Sequence, residues 1–127
     1  MIYFYFDITP KPKSRPRFGR VGTKVVTYSD PKSRAYEKRV KQLTRDQYND
    51  EPLLGPIRLE ITYYIKPPKT VKRQYPSVKP DLDNLNKSIL DAMESVCFRN
   101  DSQIIGLTSS KYYREHAGVE VKVYPVV

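Results

Sequence analysis

The 127-residue chain contains one cysteine (Cys97), one histidine (His116), no tryptophan and five glycines. A single cysteine closes no internal disulfide and builds no cysteine-rich zinc site. A single histidine excludes histidine clusters and multi-histidine catalysis. No apolar stretch approaches the roughly 18 residues that span a bilayer. The opening residues, MIYFYFDITP, have no basic region ahead of the apolar run and carry Asp7 inside it, so they do not read as a secretory signal. Acidic residues are scarce as well: 14 Asp and Glu face 23 Lys and Arg, a net charge of +9. The expectation is a soluble, cytoplasmic protein with no membrane partner and a polyanionic ligand, nucleic acid ahead of anionic lipid.

What is present suits one folded domain spanning 1–127. The length falls at the common size of a domain and suffices for an independent core. Eleven tyrosines and four phenylalanines separate the chain from disordered sequences. Charge is segregated by sign. Residues 11–45 hold 12 Lys and Arg against Asp30 and Glu37, and residues 66–79 hold Lys66, Lys69, Lys72, Arg73 and Lys79 with no acid. Residues 81–101 reverse the sign, with Asp81, Asp83, Asp91, Glu94 and Asp101 against Lys87 and Arg99. Charge runs are often plain solvated surface, but such segregation weakens that explanation.

Ile2, Phe4, Phe6 and Ile8 alternate with polar or tyrosyl positions, the pattern of a strand with one apolar face. Pro10, Pro12 and Pro16 with Gly19 and Gly22 predict irregular structure across residues 11–22, followed by a short strand at Lys24–Tyr28. Ser29 or Asp30 caps a helix that has Pro31 at its first position and runs to about Gln47, with Tyr36, Val40 and Leu43 inward. Ile57, Leu59, Ile61, Tyr63 and Ile65 mark the clearest strand. A proline-rich basic loop leads to a second helix, roughly Leu82 to Ser95, with Leu82, Leu85, Ile89, Met93 and Val96 on one face. Two strands near Gln103–Tyr113 and Val119–Tyr124 complete the chain. The order β(β)αβαββ predicts an α/β (α+β) fold with a single mixed β-sheet and two main helices packed on it.

Chemistry is concentrated in KPDLDNLNKSILDAMESVCFRND, residues 79–101. Asp81 stands at the expected N-cap and Asp83 in the first turn, where the free N–H groups and the helix dipole favour carboxylates for structural reasons alone. Asp101 lies in a turn beyond the helix and can return to its N-terminus if the next strand runs alongside. Carboxylates gathered among basic segments repel one another and DNA phosphates unless a cation lies between them. Two or three Asp suit a hard ion, Mg²⁺ or Mn²⁺, which takes oxygen ligands and keeps several waters. Such an ion activates water and neutralises charge on a phosphodiester. Lys87 is placed to assist, although an i, i+4 salt bridge to Asp83 explains it equally well.

At these residues the sequence resembles the RusA family of Holliday-junction resolvases, common in bacteria and their prophages. The resemblance rests on KPDLDNLNKSILDAM, then NDSQI and the downstream Lys111. Upstream, KPKSRPRFGRVGTKVVTYSDPKSRAYEK is similar to the family's Arg-Pro-Arg segment and following helix, so nearly the whole chain is covered. The resemblance implies a homodimeric endonuclease that cuts four-way DNA junctions symmetrically with Mg²⁺ or Mn²⁺. It implies that Asp81, Asp83 and Asp101 are the catalytic and metal-binding acids and Lys87 the catalytic lysine, with Asp91 in a supporting or helix-structural role. The sequence departs from the family at Asn100, where an Asp is usual: its carbonyl can still ligate, but without charge.

The basic segments supply candidate DNA contacts. Lys13, Arg15, Arg17 and Arg20 lie on a proline-braced loop that suits phosphates. Lys69, Lys72, Arg73 and Lys79 form a second arm, with Tyr75 able to stack on an unpaired base. Lys111 either faces the acidic site or is a solvated strand lysine. His116 is expected at the surface and Cys97 buried as a small apolar group. A non-enzymatic, catalytically degenerate DNA-binding protein is the alternative, favoured by Asn100 alone. A dimerising structural module fits the +10 segment poorly.

Overall fold

The strongest alternation in the chain becomes its central strand. β4 (Ile57–Ile65) buries Ile57, Leu59, Ile61 and Tyr63 on one face and leaves Arg58 and Glu60 exposed on the other. The structure, a computed structural model, describes residues 1–14, 17–28 and 30–127. In it β5 (Ile104–Tyr113) runs parallel to β4, β6 (Gly118–Pro125) runs antiparallel on the other side, and β1 (Ile2–Phe6) closes the far edge against β6. The mixed sheet has the order β1-β6-β4-β5. A parallel pair needs a long crossover, and α2 (Leu82–Met93) supplies it between β4 and β5.

Both helices lie on one face of this sheet, as the order of elements predicts. α1 (Pro31–Gln47) starts where Asp30 accepts the Ser33 N–H at 3.4 Å, with Pro31 in its first turn. Its buried stripe is narrow, Ser33, Val40 and Thr44, and it packs on α2 and β1. α2 is the more apolar helix and places Leu85, Ile89, Ala92 and Met93 in the core with Phe4, Phe6 and the valines of β6. Each fully buried Phe, Ile or Leu contributes roughly 2 kcal/mol over an exposed one, so α2 is fixed firmly on the sheet. Cys97 is buried, and His116 is exposed at the surface beside Asp7.

Three local features depart from the sequence-based expectations. Residues 17–21 are a strand, β2 (Arg17–Val21), paired with β3 (Lys24–Tyr28). The prolines stop at Pro16, and Gly22 adopts φ +64° in the two-residue turn, a conformation glycine reaches without steric cost. β2 and β3 form their own two-stranded ribbon beside the mixed sheet, because a tight hairpin satisfies its strand hydrogen bonds locally. α2 ends at Met93 rather than Ser95, since Ser95 takes φ +73° and its N–H turns to the Phe98 carbonyl at 2.7 Å.

Candidate active site

Asp81 occupies the N-cap position of α2, but its side chain makes no capping bond. The Asp83 carboxylate accepts only the Asn84 N–H, at 2.9 Å. Asp83 and Lys87 are one turn apart and form no ion pair within 4 Å. A capping bond therefore does not account for Asp81, nor an i, i+4 salt bridge for Lys87, while Asp83 satisfies one free N–H of the first turn; all three residues are exposed.

Asp101 is delivered by a short 3₁₀ turn, Asp101–Gln103, between α2 and β5. Asn100 caps that turn: its carbonyl accepts the Ser102 N–H at 2.9 Å, while the Gln103 side chain accepts the Asn100 N–H at 2.8 Å. Gln103 also donates to the carbonyls of Leu53 (2.8 Å) and Gly55 (2.9 Å), fastening the turn to the loop before β4. The Asn that departs from the family pattern thus serves as a cap.

The turn and the helix enclose a trough of about 390 Å³ lined by Asp83, Asn86, Lys87, Leu90, Asp91, Asp101 and Leu107. Asp83, Lys87 and Asp101 share it with Asp91. From Asp83 to Asp91 the helix rises about 12 Å, so the trough is elongated. Asp81 opens instead on a neighbouring groove of about 770 Å³, with Pro10, Pro12, Lys13, Lys79, Pro80 and Asn84. Among the described residues no three Asp, Glu, His or Cys side chains are gathered closely enough to hold an ion as they stand. The donors facing the trough are nevertheless carboxylates. Mg²⁺ commonly binds through one or two carboxylates and keeps the rest of its shell as water, and Asp83 and Asp101 on the trough's lining are donors of that type.

Two polar groups missing from the sequence-based site, and one assigned there to DNA, organise it. Asn86 is buried under the trough, accepts the Tyr63 hydroxyl at 2.7 Å and donates to the Ser109 hydroxyl at 3.0 Å, tying α2 to β4 and β5. Burial pushes the Tyr63 hydroxyl pKa up, which keeps it a donor. The signal was a polar residue inside the apolar stripe, three and four positions from Ile89 and Leu82. Gln103 is the second. The third is Lys13, expected on DNA. Its N–H bonds to the Asn84 carbonyl at 3.0 Å, and its ammonium pairs with Glu37 of α1 and, at 3.1 Å, with Asp91. Nothing local in the sequence marks the Gln103 or Lys13 contacts, which join distant segments.

The other basic candidates divide into anchored and exposed. Lys111 donates to the carbonyls of Val78 (2.7 Å) and Pro80 (2.9 Å), pinning the cis Lys79–Pro80 segment that leads into α2. Arg73 donates to the Tyr113 hydroxyl at 3.0 Å from an exposed position. Lys69, Lys72 and Lys79 are exposed, as are Tyr75 and Arg20 of the β2–β3 ribbon. Arg15 lies outside the described residues, as does the side chain of Arg17.

Residues 7–124 match the Endodeoxyribonuclease RusA family. The chain is 31% identical over 130 residues to the uncharacterized protein YqaN of Bacillus subtilis, covering 92% of this chain and 91% of the relative. It is 29% identical to the crossover junction endodeoxyribonuclease RusA of Aquifex aeolicus, covering 98% of this chain and 91% of the relative. With Asp83, Asp91 and Asp101 lining one trough and a match that runs through both helices and every strand of the mixed sheet except β1, the chain belongs to the RusA endodeoxyribonuclease family.

Proposed function

We propose that the protein is a structure-selective DNA endonuclease that resolves four-way junctions by metal-dependent phosphodiester hydrolysis in recombination and repair. The observation that carries this is the trough, which brings Asp83, Lys87 and Asp101 into one space while leaving the Lys87 ammonium without an ion-pair partner. Asp83 and Asp101 hold Mg²⁺ or Mn²⁺, and Asp81 adds negative charge from the neighbouring groove. The ion supplies charge neutralisation and an acidified water when bound. Lys87 presents its ammonium to the phosphoryl oxygens as their charge grows.

Arg20 on the ribbon, with Lys69, Lys72, Arg73 and Lys79 on the loop before α2, holds flanking phosphates. Lys111 keeps that loop in place through its two carbonyl contacts. The protein acts in the cytoplasm as a two-fold dimer, each copy offering one trough to one strand of a symmetric junction. No helix among the described residues is long and apolar enough to cross a membrane.

The test is incubation with a synthetic four-way junction, with and without Mg²⁺. Wild type is expected to cut symmetrically and only with the ion, whereas Asp83→Asn is expected to bind the junction and leave it intact. Binding should weaken by at least tenfold between about 50 and 200 mM salt, because several phosphates are contacted. A wild-type protein that binds the junction and never nicks it in Mg²⁺ or Mn²⁺ refutes the enzymatic reading.

A further inference from the structure

Asp91 differs from the other trough carboxylates in having a cation already beside it. The Lys13 ammonium lies 3.1 Å from its carboxylate and also pairs with Glu37 of α1, and both the Lys13 and Asp91 side chains are mostly buried, 23% and 31% exposed. The Lys13 backbone is held too, by its bond to the Asn84 carbonyl on the first turn of the same helix. Burial works against the ammonium, but the hydrogen bonds and charges of Glu37 and Asp91 outweigh it and raise the Lys13 pKa above the usual lysine value. The group therefore stays charged at every pH at which DNA is handled. A lysine whose backbone and side chain are both fastened to helices is poorly placed to leave for a phosphate.

We propose that Lys13, reaching Asp91 from the neighbouring groove, is a positioning residue and counter-cation for the acidic trough: by neutralising Asp91 at its far end it lowers the trough's negative charge and so sets how tightly the trough binds Mg²⁺ or Mn²⁺. The proposal rests on the metal-dependent reading above. Without Lys13 the trough presents three carboxylates with no ion-pair partner, Asp83, Asp91 and Asp101, instead of two, beside the one ammonium of Lys87. Placing a unit positive charge near a divalent ion at a half-exposed site opposes binding appreciably, since charges in such surroundings interact several times more strongly than in bulk water. The design has a use. A trough that binds its ion only moderately does not become a permanent metal trap and does not hold product after hydrolysis.

The experiment titrates the full-length protein with Mn²⁺ alone, without DNA, and counts the free ion by its paramagnetic resonance signal. Lys13→Met is expected to bind Mn²⁺ about fivefold tighter than wild type, a change of the size that removing one nearby like charge produces. Adding Asp91→Asn to Lys13→Met should return the affinity to the wild-type range, and Lys13→Arg should keep it there. Lys13→Gln, which preserves polar contacts, guards against loss of fold in the methionine variant and should also tighten binding. Unchanged or weaker Mn²⁺ binding in both Lys13→Met and Lys13→Gln overturns the proposal. So does tighter binding that survives Asp91→Asn. If no variant and no wild type binds Mn²⁺ at all, the metal-dependent function itself is lost, an outcome distinct from wild-type binding with no response to Lys13.

Discussion

Replacing Asn86 with Leu isolates the polar joint beneath the trough. Asn86 accepts from the fully buried Tyr63 hydroxyl and donates to Ser109, so the substitution removes two hydrogen bonds. Each is worth roughly 1 kcal/mol net, and an orphaned buried hydroxyl adds roughly 1–3 kcal/mol. Ser109 is only half-buried and can turn to water, so the orphan that matters is Tyr63. Leucine keeps the branched shape of asparagine but is bulkier; its apolar burial offsets part of the loss, and the crowding adds to it. The expected net destabilisation is about 2–3 kcal/mol, or roughly 10 °C in Tm for a chain of this length. Tyr63→Phe added to Asn86→Leu removes the orphan and should recover about 1–2 kcal/mol, making the double variant more stable than the single one. Urea titrations with unchanged m-values measure this directly. A double variant no more stable than Asn86→Leu refutes the hydrogen-bonded joint as the reason asparagine stands there.

Gln103→Ala removes three bonds that fasten the Asp101 turn. It should cost about 1–2 kcal/mol, since partly exposed carbonyls regain water, and should lower junction cleavage through kcat with KM little changed; equal activity means that the turn does not position Asp101. Asn100→Asp keeps a side chain that caps as well, so stability should stay within about 0.5 kcal/mol, while Mn²⁺ binding should tighten from the added charge; looser binding contradicts this. Burial pushes the Cys97 thiol up to about 12. Its folded pKa is raised, so its contribution to stability is complete below the ordinary thiol value near 8.5 and drains away as pH climbs towards the folded value. Tm should therefore fall more steeply between about pH 8.5 and 10 in wild type than in Cys97→Ala, and parallel slopes rule the thiol out.

The elements carried by long hydrophobic periods were legible in the sequence. β4, α1 and both C-terminal strands lie where alternation or capping placed them, and Asp30 caps α1 with Pro31 behind it. These signals are local, and burial on one face enforces them. The β2–β3 ribbon was half hidden, because proline and glycine counts speak against strands while a two-residue turn with Gly22 makes one. The end of α2 was missed by two residues, since nothing in the residue type of Ser95 announces a positive φ. At the site, the run from Asp81 to Asp101 was legible as an acidic cluster along α2 and the turn after it, but how its members divide between trough and groove was not. That division depends on where the loop before α2 and the turn after it are fastened.

Those fastenings are polar contacts between segments far apart in the chain. Lys111 on β5 holds the carbonyls of Val78 and Pro80, Gln103 holds those of Leu53 and Gly55, and Lys13 bridges the two helices. The hydrophobic core fixes α2 on the sheet but exerts no control over which way its exposed carboxylates face. Side chains that must remain in water for function cannot be held by burial. Their backbones have to be held instead, by donors reaching across from the scaffold. This explains why Lys13, Lys41 and Lys111 of the basic population bind carbonyls or carboxylates of their own chain. The positive excess does two jobs with different residues: exposed Arg20, Lys69, Lys72 and Lys79 remain available to a polyanion, while Lys13 and Lys111 hold the acidic site in place. Substitutions in the two groups should therefore separate, the first altering the salt dependence of DNA binding and the second altering ion affinity and turnover at fixed DNA affinity.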